Sequence, residues 1–522
     1  MGNDGIPRRR LLQAGVTLTA GGLALAACGG GGANTSPGTT TKSKGGKPKH
    51  GGKLRIGTAF GGPTDTLDPG KAVSDADFYR AGALFDALCY YDPKFNVVNA
   101  LATSMEPNST ATVWTVKLRS GVKWHDGKPL TSADVVYTLK RNAKLQLVGT
   151  VATAFIDFKN LKATDPLTVS IPLTLPQAQF NQYLAAPLYI VQEGATDFSH
   201  PIGTGAFEFV SWTPGQTSLF KKNPDYFVSG QPYVDELQIT TIADATSRLN
   251  AVLAGQVDAG DQLTYQAAKQ YRSSSSVQIV VSPPGSFIPF TMACDTPPFH
   301  DVRVRQAFRL LADRPALLNV AQEGFGEIGN DLAGKGLVDY DTGLAQHAQD
   351  VGRAKSLLKA AGKSGLTVTL NTSTVSPGML EAATAFAQQA KAADVNVVLN
   401  NIPAADFYGA KYLHYPFGMS GWTAQPVEGF MAGALAKGAP FNETHWHNTK
   451  FDDVYLSACG ALDPSKRQTL LDDAQKMLWD DGGYIIWGFT PYLDAMRNNV
   501  HYPPPTPAND LCGGVFREFW LA

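Results

Sequence analysis

Several short runs of this sequence carry side chains that could do chemistry. His125-Asp126-Gly127 joins an imidazole to a carboxylate, the pairing of a general base with the acid that orients it. The same residues also make a turn, since Asp can bond its own downstream backbone and Gly accepts φ > 0, and the turn is the better reading. His445-Trp446-His447 sets two imidazoles at i and i+2, a spacing at which a strand can share them with one metal ion, but no acid or third histidine adjoins them. Ser420 stands in Gly418-Met419-Ser420-Gly421, without the G-x-S-x-G spacing of a hydrolase elbow. No H-E-x-x-H, P-loop or strand-linked G-x-G-x-x-G occurs. The expectation is a protein that is not an enzyme and has no cofactor and no resident metal.

Cysteine use is sparse. Cys28, Cys89, Cys294, Cys459 and Cys512 never fall at C-x-x-C spacing, which argues against zinc or thioredoxin-type chemistry. Outside the cytoplasm the last four could form two disulfides or stay as buried thiols, and both remain open.

Composition narrows the class further. The 522 residues carry 44 Lys plus Arg against 45 Asp plus Glu, a balance without the basic excess of a nucleic-acid binder. At 43% hydrophobic and 10% aromatic the chain can bury large cores, and its length suits two or three domains. No segment after the leader has the roughly 18 uninterrupted apolar residues of a membrane span.

That leader occupies residues 1–27. Arg8-Arg9-Arg10-Leu11-Leu12 is a basic start resembling a twin-arginine signal, although Sec routing is also open. The apolar stretch ends in Leu25-Ala26-Ala27-Cys28, which resembles a lipobox and makes Cys28 the expected lipidated first residue of the mature chain. Residues 28–52 read as a tether: positions 29–52 hold nine Gly with Ser, Thr and Lys and no large apolar side chain, too little to fold. A flexible chain of about 22 residues has an r.m.s. reach of roughly 25 Å. Loss of the leader leaves a formal charge of −3, and loss of the four tether lysines and Lys53 about −8 on the body. The expected location is extracytoplasmic, lipid-anchored to the outer face of the cytoplasmic membrane, in a periplasmic space or at a cell surface.

The body interleaves strands and helices. Trp114, Val116 and Leu118 alternate with polar residues as a half-buried strand, and turn chemistry flanks Val122-Lys123-Trp124. Thr131-x-x-Asp134 reads as a capping box in which Asp replaces the usual Glu or Gln. Asp301, Asp350 and Asp463-Pro464 each cap a helix of regular apolar spacing, and 366–370 and 395–399 read as strands.

The run Trp114-x-Val-x-Leu-Arg-x-Gly-Val-x-Trp-His-Asp-Gly-x-Pro-Leu-Thr-x-x-Asp134-Val resembles the signature of bacterial extracellular solute-binding proteins of family 5, the dipeptide, oligopeptide and nickel-binding group of ABC importers. Thr66-Leu67-Asp68-Pro69, Pro201-Ile202-Gly203-Thr204-Gly205-Ala206-Phe207 (with Ala206 in place of the usual proline), Leu253 to Asp258, and Pro298 to Ala307 match further family segments in order, so that the resemblance covers about 470 residues. It implies an α/β, two-lobed, periplasmic-binding-protein-like clamshell of type II. Lobe one would take residues 53–290 and 489–522, with an extra subdomain at about 100–205, and lobe two would take 291–488. Ligand held by both lobes only when closed would shift the open–closed equilibrium, and a full reversal from 1:99 to 99:1 needs about 5.5 kcal/mol.

The same resemblance implies a site. In peptide-binding relatives an Asp after a Gly-Trp segment pairs with the peptide α-amino group; here Ser420-Gly421-Trp422-Thr423-Ala424-Gln425 puts Gln425 at that place, and a neutral amide gives no charge-assisted bond to an ammonium. Expected solute contacts are Trp422, Thr423 and Gln425, with Phe60 and Asp65 after the first strand and Phe287 and Trp487 near the crossovers. The expected partners are a small solute, peptide-like or another polar metabolite, an ABC permease with its ATPase, and the membrane through the lipid anchor. The protein is expected to be a monomer and to bind no nucleic acid. Alternatives on the same fold are a nickel or metal-chelate binder and a ligand-sensing surface lipoprotein.

Overall fold

The computed structural model describes residues 46–522 apart from Ala186 and Ala405, and of Thr150 only the backbone. The leader, Cys28 and most of the tether lie outside the described residues. The chain forms two compact units, one reaching Pro283 and resuming at Tyr492–Ala522, the other spanning Pro284–Pro491. The divisions therefore fall at 283/284 and 491/492, against the 290 and 489 expected from sequence.

The first unit is built on a seven-stranded sheet. Its order is Gln278–Val281, Leu493–Met496, Ala259–Gly260, Lys53–Thr58, Glu236–Thr241, Thr217–Lys222 and Phe207–Trp212. Lys53–Thr58 runs parallel to both Glu236–Thr241 and Ala259–Gly260, while the remaining pairings are antiparallel. Leu54 and Ile56 point into the core at alternate positions, as a strand's two-residue period requires. Asp258, the end of the Leu-Ala-Gly-Gln-Val-Asp run, bolts this strand in place: its carboxylate accepts from Arg55 at 2.7 and 2.9 Å and from Arg497 at 3.1 Å.

A four-stranded antiparallel sheet, Ala102–Pro107, Val113–Leu118, Thr168–Pro172 and Lys162–Asp165, carries the signature run. Trp114, Leu118 and Val122 are buried there, and the Trp114 indole donates to the Gln177 carbonyl at 2.9 Å. The helix Ser132–Leu145 starts as expected, with the Asp134 carboxylate accepting from the Thr131 N–H at 2.8 Å. His125 turns out to be a tie rather than a base. Its ring sits between the Gly203 N–H at 3.2 Å and the Gly205 carbonyl at 3.0 Å, and burial lowers its pKa.

The Gly-Thr-Gly segment exists because two backbones touch. A Cβ on Gly203 would overlap the Leu84 carbonyl oxygen, and one on Gly205 would meet the same peptide. Gly203→Ala is expected to destabilise the first unit by about 3 kcal/mol, since backbone cannot give way as a side chain can. A denaturant midpoint within error of the wild type would refute this.

The second unit holds a five-stranded sheet in the order Asn396–Ile402, Thr367–Ser373, Phe417–Met419, Phe290–Met292, Tyr484–Ile485. The first three run parallel and the last two antiparallel to their neighbours. Phe290, Phe299, Phe308, Phe386 and Phe417 fill its core as a ring cluster, with centroids 4.7 to 6.3 Å apart. The Asp-Val-Arg-Val-Arg segment caps and anchors the helix Val302–Leu311. Asp301 accepts from the Arg303 N–H, Arg305 donates to the Phe299 carbonyl at 2.6 Å and to Asp481, and Arg309 caps the carbonyls of Leu478, Trp479 and Gly482. These residues build the frame of the second unit.

Cys89, Cys294, Cys459 and Cys512 are free thiols. No helix among the described residues is long and apolar enough to cross a membrane.

Candidate functional site

In open α/β sheets, ligands bind in the crevice outside the carboxyl ends of the parallel strands. In the second unit those ends are Ser373, Ile402 and Met419, and the loop Ser420–Pro426 leaves directly from the third. In the first unit Ala59 and Phe60 follow Thr58, and Asp261 and Gln262 follow Gly260. The sheet direction thus places the Gly-Trp loop and Phe60 among the candidates, beside the segments that follow Ser373, Ile402 and Gly260.

The loop is held at its backbone. Trp422 and Phe287 exchange paired hydrogen bonds, Phe287 N–H to the Trp422 carbonyl at 2.8 Å and the reverse at 2.9 Å. Phe287 is buried, edge-on to Phe430 and to Phe489, each at 5.6 Å. Trp422 is 6% exposed and packs edge-on against Phe430 at 5.0 Å. Its indole N–H donates to Glu443 at 3.0 Å. Thr423 and Gln425 are half-buried. A Cβ on Gly421 would stand 3.0 Å from the Tyr408 hydroxyl and 3.7 Å from the Ser376 hydroxyl, so two neutral hydroxyls border the loop backbone. No residue from Ser420 to Pro426 is charged.

The remaining expected contacts divide. Phe60 is 48% exposed, an apolar ring open to a partner. Asp65 belongs to the frame: its carboxylate accepts from the Gly62 N–H at 2.7 Å and pairs with the buried Arg80 at 2.8 Å, which fixes the loop after the first strand. Trp487 lies wholly inside the second unit's core, where it presents no surface to a solute.

The histidine pair is likewise occupied. His445 Nδ1 meets Asp295 at 2.9 Å and its Nε2 meets the Leu413 carbonyl at 2.7 Å, leaving neither nitrogen for a metal, while His447 points to Asp452 at 3.7 Å. Among the described residues no group of three or more His, Cys, Asp or Glu is placed to hold a metal ion.

Sequence reasoning missed Glu443. It is 2% exposed and accepts from Tyr412 at 2.8 Å, Trp422 at 3.0 Å and Tyr484 at 2.7 Å. A lone acid in a loop, 21 residues from its tryptophan, has no periodic or spacing signal to announce it.

Comparison with known proteins agrees with this architecture. Residues 96–442 match the family described as bacterial extracellular solute-binding proteins, family 5 Middle. The glutathione-binding protein GsiB of Pectobacterium atrosepticum is 27% identical over 453 residues, covering 82% of this chain and 87% of that protein. The substrate-binding protein CtaP of Listeria monocytogenes superposes with a TM-score of 0.79 at 21% identity, over 91% of this chain and 100% of that one. The oligopeptide-binding protein AppA of Bacillus subtilis, solved with a nonapeptide, gives 0.73 at 21% identity, over 91% and 100%. Family 5 proteins are the non-enzymatic, extracytoplasmic solute-binding components of ABC importers, with a two-lobed α/β fold. The chain belongs to the bacterial extracellular solute-binding proteins of family 5, and binds a solute rather than transforming one.

Proposed function

We propose that this protein captures a small peptide-like solute in an interlobe cleft and hands it to an ABC permease, working as a monomer tethered by a lipid on Cys28. The observation that carries the solute class is the uncharged loop Ser420–Pro426, placed at the carboxyl end of a parallel strand with an anchored tryptophan and bordered by neutral hydroxyls. Such a surface recognises amide groups by stacking and neutral hydrogen bonds, and supplies no counter-charge of its own to a free ammonium. Glutathione, the solute in the name of the relative from Pectobacterium, is the first probe.

Titration calorimetry with glutathione, and with one tripeptide in free and N-acetylated forms, tests the reading. The acetylated peptide is expected to bind at least as well as the free one, and Trp422→Ala to weaken binding about 30-fold, the cost of losing a central aromatic anchor. Gln425→Asp is expected to shift the preference towards the free amine. Equal affinities in wild type and Trp422→Ala would remove the loop from the site. For the anchor, mass spectrometry of the membrane fraction is expected to find a diacylated N-terminal Cys28, and a soluble product with an unmodified thiol would refute it.

A further inference from the structure

We propose that Glu443 is a positioning residue for the solute site, holding the Trp422 indole in the single orientation that the loop presents. The inference rests on the reading of Trp422 as a solute contact.

A tryptophan side chain has two rotatable bonds and one polar handle, its N–H. The Trp422 backbone is pinned by Phe287, which leaves the side chain to be fixed separately. Phe430 at 5.0 Å and Phe441 at 6.2 Å meet the ring edge-on, contacts that exclude water and set no unique rotamer. Glu443 supplies the direction. Its carboxylate, an acceptor at every lone pair, takes the indole N–H at 3.0 Å together with the hydroxyls of Tyr412 at 2.8 Å and Tyr484 at 2.7 Å.

Those donors come from separate parts of the second unit. Tyr412 lies in the turn Tyr412–His414, Tyr484 in the strand Tyr484–Ile485, and Trp422 in the loop after Phe417–Met419. The Tyr412 hydroxyl also meets the Ser420 hydroxyl at 2.5 Å, so the network grips the loop at its first residue as well as at the indole. A carboxylate suits this place because three donors converge on it and none must turn to accept. Hydrogen bonds to a charged acceptor in a dry site are the strong ones, and partly satisfied networks are the costly ones. Glu443 is itself 2% exposed, which keeps it away from the solute and confines its action to Trp422.

The test compares Glu443→Met, which keeps the volume and removes the acceptor, with Glu443→Gln, which keeps one oxygen for the indole. Glu443→Met is expected to weaken glutathione binding about tenfold, and Glu443→Gln to restore most of it. In a Trp422→Phe background, Glu443→Met should cost nothing further, because the group it acts through is gone. The indole N–H resonance of Trp422, assigned by its loss in Trp422→Phe, is read in parallel. It should be single and slow to exchange in the wild type, displaced but single in Glu443→Gln, and split or fast-exchanging in Glu443→Met. Glu443→Met weakening binding equally with and without Trp422 would overturn the inference, as would an indole resonance unmoved in both variants. If Trp422→Phe leaves glutathione binding unchanged, the solute-site reading fails, and the resonance still decides whether Glu443 holds the ring. Should Glu443→Met not fold, the resonance in Glu443→Gln decides: a displaced signal supports the charge-assisted bond, and an unmoved one refutes it.

Discussion

Arg314→Met is expected to destabilise the second unit by about 3–5 kcal/mol, the cost of stripping one partner from a buried ion pair. Both Asp331 oxygens accept from the Arg314 guanidinium, at 2.8 and 2.7 Å, and His347 Nδ1 adds a third contact at 2.7 Å. Arg309 stands 3.9 Å away, and the His347 ring lies flat on Trp479 at 4.1 Å. Burial by itself would push the Asp331 carboxyl up, but Arg314, the His347 bond and Arg309 together outweigh it and bring the group down to about 2. A depressed carboxyl contributes stability above its unfolded pKa of about 4 and loses it as pH falls through the folded value. In the wild type this contribution should therefore be complete above about pH 4 and be lost progressively between about pH 4 and pH 2, and in Arg314→Met that acid-dependent loss should shrink. Hydrogen exchange resolved to residues 284–491 reads this unit apart from the other, which matters because two units need not unfold together. Replacing both partners, Arg314→Met with Asp331→Leu, should cost less than the two single variants summed, although it leaves the buried Arg309 without its carboxylate. Equal or greater loss in the double variant would show that packing, and not the charge, sets the cost.

How far the sequence could be read depended on the range of the interactions. Local chemistry was legible: Thr131 with Asp134, Asp301 before its helix and Asp463-Pro464 all start helices where the cap rules place them. The strand around Trp114 and its burial followed from alternation alone. Long-range pairing was not. Asp65 reads as a loop acid open to a ligand, but the helix Asp75–Leu84 brings Arg80 to it, and nothing at position 65 announces that partner. Trp487 reads as a crossover aromatic, and only the sheet order, with Tyr484–Ile485 beside Phe290–Met292, reveals that it enters the core. Glu443 escaped for the same reason, since its three donors are 21 to 41 residues distant. The Gly-Trp loop is legible as a candidate because it is one contiguous segment on a strand's carboxyl end, a place that sequence order and sheet direction define jointly.

Asp510→Asn is expected to raise the stability of the first unit at pH 8 and to flatten its dependence on pH. Four acids gather where the strands Ala259–Gly260 and Leu493–Met496 meet the chain's end: Asp261, Asp494 and Asp510 are fully buried, and Asp75 is half-buried beside Gln262. Asp261 has Arg248 at 3.1 Å and the Thr58 hydroxyl at 2.6 Å. Asp494 and Asp510 meet one another, and no N–H or O–H donor reaches either Asp510 oxygen among the described residues. Burial, with Asp261 nearby, pushes Asp494 up to about 7, and burial with the Asp494 charge also pushes Asp510 well above the usual carboxylate range. Two carboxyls in contact inside a protein cannot both ionise, so the folded state keeps a proton that the unfolded chain releases near pH 4. The native state then binds the extra proton between about pH 4 and pH 7, and stability falls as pH rises through that window. The contact also steadies strained backbone, because Asp494 accepts the N–H of Leu511 at 2.7 Å, and Leu511 and Cys512 stand consecutively at φ 48° and 55°. An asparagine at 510 reproduces the protonated acid and can donate to Asp494 at every pH, so the variant should gain about 1–3 kcal/mol at pH 8 and little at pH 5. Denaturation followed at both pH values decides it: parallel losses at the two would mean that the pair shares no proton.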